Sequence, residues 1–154
     1  MKVNKSIEQG IFVLLILALQ KGHVPVKSHI LSNILNVSDS YLKKILRKLV
    51  VAGLVTSNAS KDGGFQLAKS IEKISLFDVY QAIESEGLSF QPTNLARKIF
   101  SNETHIQESE NKVIRAFSSG MDAFSSNLKE LYLSELLEKD SYIIGVIDWD
   151  QKTD

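Results

Sequence analysis

The chain has 154 residues, 44% of them apolar, which is enough for one domain with a real core and at most one appendage. It contains no cysteine, so disulfides, thiolate nucleophiles and cysteine-held zinc or iron–sulfur clusters are excluded. The formal net charge is zero but unevenly placed: up to Lys69 there are ten Lys/Arg against three Asp/Glu, and beyond it eight against fifteen, so +7 is followed by −7. Such a split fits a polyanion partner for the first half, and a chance imbalance on a solvated surface is the plainer alternative.

The longest apolar run, Ile11 to Leu19, has nine residues, against the roughly 20 needed to span a membrane. It reads as a buried helix. Gln20, Lys21, Gly22 and His23 follow it where a secretory signal would place a small-residue cleavage site. The expectation is a soluble cytoplasmic protein with no membrane partner.

A first helix runs from Lys5 to Leu19, with Ile7, Ile11, Leu14, Leu15 and Ala18 at steps of three or four and further apolar residues between them. Gly22 ends it, and Pro25 keeps the connection extended. A short helix follows from about Ser28 to Leu35, and Asn36 and Val37 make the turn. Ser38 is a good N-cap, Asp39 puts negative charge in the first turn, and Gly53 falls where a left-handed residue is wanted, which frames a third helix from about Asp39 to Ala52. Leu42, Ile45, Leu46 and Leu49 form its buried stripe, and Ser40, Tyr41, Lys43, Lys44, Arg47 and Lys48 its opposite face. Leu54 to Asn58 and Phe65 to Ala68 then read as strands joined by Ala59 to Gly64, a hairpin eased by Gly63 and Gly64.

The fold expected is mainly α with a small β-hairpin wing: a winged helix-turn-helix domain over residues 1–85, then a linker, a long C-terminal dimerisation helix and a possible sensor region over 86–154. A helix fits the major groove, where hydroxyl and long cationic side chains reach base edges and phosphates. Lys43 and Arg47, and Lys44 and Lys48, are each one turn apart, as two rows meeting two phosphate backbones would be. Candidate contacts to double-stranded DNA are therefore Ser38, Ser40, Tyr41, Lys43, Lys44, Arg47 and Lys48 on this helix. Lys61, Gly63 and Gly64 on the hairpin and Lys2 and Lys5 near the N-terminus complete the set.

Three blocks carry a resemblance. They are Val37-Ser38 with Ser40-Tyr41-Leu42, Ile45-Leu46, Leu49 and Ala52-Gly53-Leu54-Val55; then Gly63-Gly64-Phe65 with Leu67-Ala68; then Ile74-Ser75-Leu76 with Asp78-Val79 and Ala82-Ile83-Glu84. In that order they resemble the Rrf-two family of bacterial transcription regulators, over most of the first 85 residues and weakly through the C-terminal helix. The resemblance implies a homodimer on a palindromic operator, with the third helix in the major groove, the wing near the minor groove, and Ser38, Ser40, Tyr41, Lys43 and Lys44 as contacting residues. Family wings often read Arg-Gly where this chain has Ala59-Ser60, leaving Lys61 as the nearby cation, and Glu8 stands where the family often has an arginine. Cluster-binding members carry three cysteines in the region that is Leu88 to His105 here. This chain has Gln91, Asn94, Phe100 and Asn102 in it and no thiol. No cofactor is expected, and a small molecule, a partner protein or no effector at all remain as input signal.

Ser75 and Asp78 resemble a capping box opening a short helix to about Ser85. Pro92 marks a loop. From about Thr104 a long helix begins, along which Ile114, Phe117, Met121, Phe124, Leu128 and Leu131 step by 3, 4, 3, 4, 3. That rhythm belongs either to a pairing helix or to a stripe packed on its own domain, and the symmetry of operators together with the resemblance favours pairing. Tyr132 to Leu137 looks like the family's short closing helix. The apolar stretch Tyr142 to Trp149 adds a strand or covers a pocket. Phe90, Phe100, Tyr80 and Trp149 are bulky enough to line a ligand cavity between the two halves, but aromatic residues in a small protein are more often plain core, and none is assigned a ligand role.

Catalysis finds no constellation: His23, His29 and His105 are far apart, and HExxH, GxSxG and phosphate-loop patterns are missing. The protein is not expected to be an enzyme or to hold a metal. A winged-helix module that binds protein instead of DNA is the alternative reading.

Overall fold

The computed structural model describes residues 2–87 and 89–152. Its order is α1 (Lys5–Leu19), α2 (Ser28–Leu35), α3 (Asp39–Val51), β1 (Val55–Asn58), β2 (Gly64–Leu67), α4 (Leu76–Ile83), α5 (Glu103–Glu130) and α6 (Trp149–Lys152), with short 3-10 turns between. Two compact units form. One takes in the chain through Ser85 and again from Lys129 onward, and the other is Glu86–Leu128.

The first unit is mainly helical, around a core that includes Leu14, Leu31, Leu42, Leu46, Leu49, Ile74, Ile83 and Leu133. Helix α1 is apolar nearly all round because it packs against α2, α3 and α4 together. Asn4 caps it, its Oδ1 accepting from the Ser6 N–H at 3.0 Å. In α3 the stripe of Leu42, Ile45, Leu46 and Leu49 is fully buried, so truncating any of these to Ala should cost about 2–5 kcal/mol. Ser75 and Asp78 close a reciprocal capping box at the start of α4.

The wing is an antiparallel pair in the register Val55↔Leu67 to Asn58↔Gly64. Val26, beyond Pro25, joins it as a bridge, trading backbone hydrogen bonds with Phe65 at 3.0 and 2.8 Å. Gly64 makes this possible: at φ +150° it lies against the Val26 carbonyl, where a Cβ would come within 2.6 Å. The hairpin is thereby fixed to the connection that leads into α2.

The apolar C-terminal stretch docks on the end of α1 and supplies partners for carbonyls that a helix terminus leaves unsatisfied. Trp149 Nε1 donates to Ile16 O at 2.9 Å, and the N–H groups of Val146 and Ile147 both donate to Leu19 O at 3.0 Å. Gly145 permits the approach, since at φ +72° any side chain there would collide with the Gln20 carbonyl. The stretch contributes a single parallel bridge, Gln20↔Ile147, instead of a strand. Tyr142 and Ile143 line a cavity, whereas Trp149 and Tyr80 pack on the core.

In the second unit, α5 has 28 residues, roughly 42 Å at 1.5 Å per residue. Asn102 caps it, Oδ1 accepting from the His105 N–H at 3.1 Å. Phe90 stacks on Phe117 with centroids 4.9 Å apart, and Phe100 meets His105 edge-on at 4.7 Å. Leu131, expected as the last residue of the apolar stripe, lies past the helix end, where its carbonyl accepts from the Leu76 N–H at 2.8 Å. The apolar stripe on α5 therefore stops at Leu128. The closing segment is a 3-10 turn, Leu133–Leu136. None of the described helices is long and apolar enough to cross a membrane.

Candidate nucleic-acid interface

Helix α3 begins where Ser38 Oγ accepts from the Tyr41 N–H at 3.2 Å and ends at Gly53, which is left-handed at φ +74°. With its leucine side buried, the residues Ser40, Lys43, Lys44, Arg47 and Lys48 face outward and are exposed. Ser38 is exposed beside them, its hydroxyl 3.4 Å from that of Ser40.

The cations on this helix are not equivalent. Lys43 is paired with Asp39 one turn back at 2.8 Å, and the ammonium holds the Asp39 carboxyl below its usual range. Lys48 Nζ donates to Ile83 O at 2.8 Å, closing the C-terminal end of α4. Among the described residues Lys44 and Arg47 make neither hydrogen bond nor ion pair. The Tyr41 hydroxyl is committed to Ser6, 2.6 Å away, and its ring packs against the core, which ties the start of α3 to the start of α1.

Other expected contacts are brought near or kept apart by the same framework. Lys2 and Lys5 are exposed at the start of α1, beside the Ser6–Tyr41 bond. Lys61 is exposed at the wing tip, whereas Gly63 and Gly64 are buried and shape the hairpin's backbone. Lys27 and His29, which sequence reasoning missed, are exposed at the start of α2, and His29 is close enough to act on the Asp39 carboxyl. The signal was available, because in a helix-turn-helix the first helix crosses the DNA backbone.

On α5, Phe117 is 52% exposed, and Ile114, Met121, Phe124 and Leu128 are only half-buried. These residues lie along one stripe of a helix in which Ile106 is buried.

Residues 3–139 match the family model Rrf2, described as an iron-dependent transcriptional regulator and the same family as the Rrf-two resemblance. The HTH-type transcriptional regulator YwgB of Bacillus subtilis is 42% identical over 105 residues, 68% of this chain and 67% of YwgB. YffB of Lactococcus lactis, also named as an HTH-type transcriptional regulator, is 39% identical over 129 residues, covering 77% of this chain and 83% of YffB. The crystal structure of oxidised CymR from Staphylococcus aureus superposes with a TM-score of 0.62 at 25% identity, over 90% of this chain and 97% of CymR.

An iron centre held by cysteine thiolates does not fit this chain. In the region where cluster-binding members carry cysteines, which begins at Leu88 outside the described residues, Asn94 accepts from Arg97 at 3.2 Å and Asn102 caps α5. With no thiol in the sequence, and no cluster of three or more His, Cys, Asp or Glu among the described residues, an iron–sulfur centre held by thiolates has no ligands. The winged helix, its outward cationic face and the family match over most of the chain agree: the protein belongs to the Rrf2 family of DNA-binding transcriptional regulators and is not an enzyme.

Proposed function

We propose that this protein is a cytoplasmic repressor that binds a palindromic operator as a homodimer, with α3 in the major groove and the wing near the minor groove. The observation that carries the reading is the pair Lys44 and Arg47, exposed and unengaged opposite a fully buried stripe on a capped helix. Long cations held outward on a rigid helix meet phosphates and guanine edges in the groove. Ser38 and Ser40 at the helix start add hydroxyls at the depth where base edges are read.

The homodimer is supported by the half-exposed stripe of Ile114, Phe117, Met121, Phe124 and Leu128. A two-fold symmetric dimer reads a palindrome, whose half-sites lie about one DNA turn, roughly 34 Å, apart. A dimer seated on a promoter excludes polymerase by occupancy, and a small molecule or a partner protein would supply the signal that releases it.

The test is a titration of the full chain against duplex from its own promoter region at several salt concentrations, with footprinting, stoichiometry and in vitro transcription. The expected results are a steep loss of affinity with salt, each neutralised phosphate adding about 0.9 to the log-log slope. A two-fold symmetric footprint, two protomers per site and reduced transcript complete the expectation. One observation favours a second reading, a module that binds protein: Lys43 and Lys48 are engaged within the chain. A flat salt response would support that reading and contradict ours.

A further inference from the structure

Within the first unit, β2, the 3-10 turn at Ile71–Lys73 and the docked C-terminal stretch line a solvent-open cavity of about 470 Å3. This is within the usual range of small-molecule sites, roughly 300–1,000 Å3. Leu17, Ala18 and Ile71, all buried, contribute apolar lining, and Lys69, Glu72 and Tyr142 contribute polar lining.

Lys69 and Glu72 line this one cavity with opposite charges and make no ion pair with each other among the described residues. The Lys69 ammonium is without a partner there. Glu72 accepts one bond, from the Tyr142 hydroxyl to Oε1 at 2.9 Å, and its Oε2 remains available. The carboxylate beside it pushes the Tyr142 phenol above its ordinary pKa of 10.0, so the hydroxyl stays a donor and holds the carboxylate in place. The walls are also tied together: His23 Nε2 donates to Tyr142 O at 2.8 Å, and Gln66 Nε2 on β2 donates to His23 O at 2.9 Å. An open cavity with an apolar wall and two solvent-exposed opposite charges that do not pair with each other is complementary to a zwitterion with an apolar body.

We infer that this cavity binds an apolar α-amino acid, its ammonium on Glu72, its carboxylate on Lys69 and its side chain against Leu17, Ala18 and Ile71. A bare amine would make no use of Lys69, and a bare carboxylic acid would bring its charge near Glu72. Gln66 and Leu67 belong to the wing strand, so the ligand would touch the wing, and a consequence for operator affinity rests on the DNA reading above.

The test is calorimetric titration of the full chain, without DNA, by L-leucine, L-methionine and L-phenylalanine, with isopentylamine and 4-methylpentanoate as single-charge analogues of leucine. The expected result is saturable heat with at least one amino acid and markedly weaker heat with either analogue. Glu72→Gln and Lys69→Met, both surface changes, should each weaken binding about tenfold with an unchanged melting curve. No saturable heat with any of the three at millimolar concentration overturns the inference, as does binding indifferent to both substitutions. Because no duplex is present, loss of the operator reading would leave this heat unchanged, and an absent heat would leave the operator titration unchanged.

Discussion

The winged-helix unit and α5 dispose of their apolar residues in opposite ways. Of the 15 residues of α1, eight are buried, because three other helices surround it. Of the 28 residues of α5, Ile106 is the one described as buried, although the helix carries an apolar residue at every heptad position from Ile114 to Leu128. The first unit completes its core with its own chain. Beyond the Phe90–Phe117 stack the α5 stripe stays half-exposed with the spacing of a seam, the surface that the second copy proposed above would cover.

The sharpest way to break that contrast is to charge the stripe. Met121→Asp with Leu128→Asp should leave the first unit folded, yet sediment as a monomer and bind operator at least about 100-fold more weakly, because two linked half-site interactions become one. Sedimentation as a dimer would remove the seam from its role. A substitution to Ala at Leu46, on the buried side of α3, should instead lower stability by about 2–5 kcal/mol without changing the association state of the folded fraction, as read by urea unfolding and sedimentation.

A smaller effect is expected at the recognition helix. Asp39→Asn frees Lys43 and removes a negative charge from the face of α3 proposed to meet DNA, so duplex affinity should rise several-fold at low salt and the salt slope should steepen by up to about 0.9 per protomer. The smallest is at the docked C-terminus: Trp149→Phe deletes the Nε1–Ile16 bond and should cost about 1 kcal/mol in urea unfolding, with duplex affinity unchanged.

What could be read from the sequence was local. The Ser38 cap, the Ser75–Asp78 capping box, the left-handed Gly53 and the buried stripe of α3 each depend on residues within a turn or two, and all occur in the structure. The contacts that pattern could not reveal join distant residues. Tyr41 reaches Ser6 and Lys48 reaches Ile83, each 35 positions away, and Trp149 reaches Ile16 across 133. Asp39 stands one turn before Lys43, so that engagement was legible as a local pair, whereas nothing in the spacing of the cations tells that Lys48 reaches the end of α4. Where the tail docks was illegible for the same reason: its backbone meets Leu19 across more than a hundred positions, while Ile143, Ile144 and Val146 stay exposed despite their apolar character.

The most direct test compares those two classes of cation. The salt slope of operator binding should be measured for Lys44→Ala/Arg47→Ala and for Lys43→Ala/Lys48→Ala beside the unaltered chain. The first pair should lower the slope by about 0.9 for each phosphate no longer neutralised, with a large fall in affinity, and the second should change it much less. An unaltered slope in the first pair, or the larger decrease in the second, would contradict the assignment of this face of α3 to DNA.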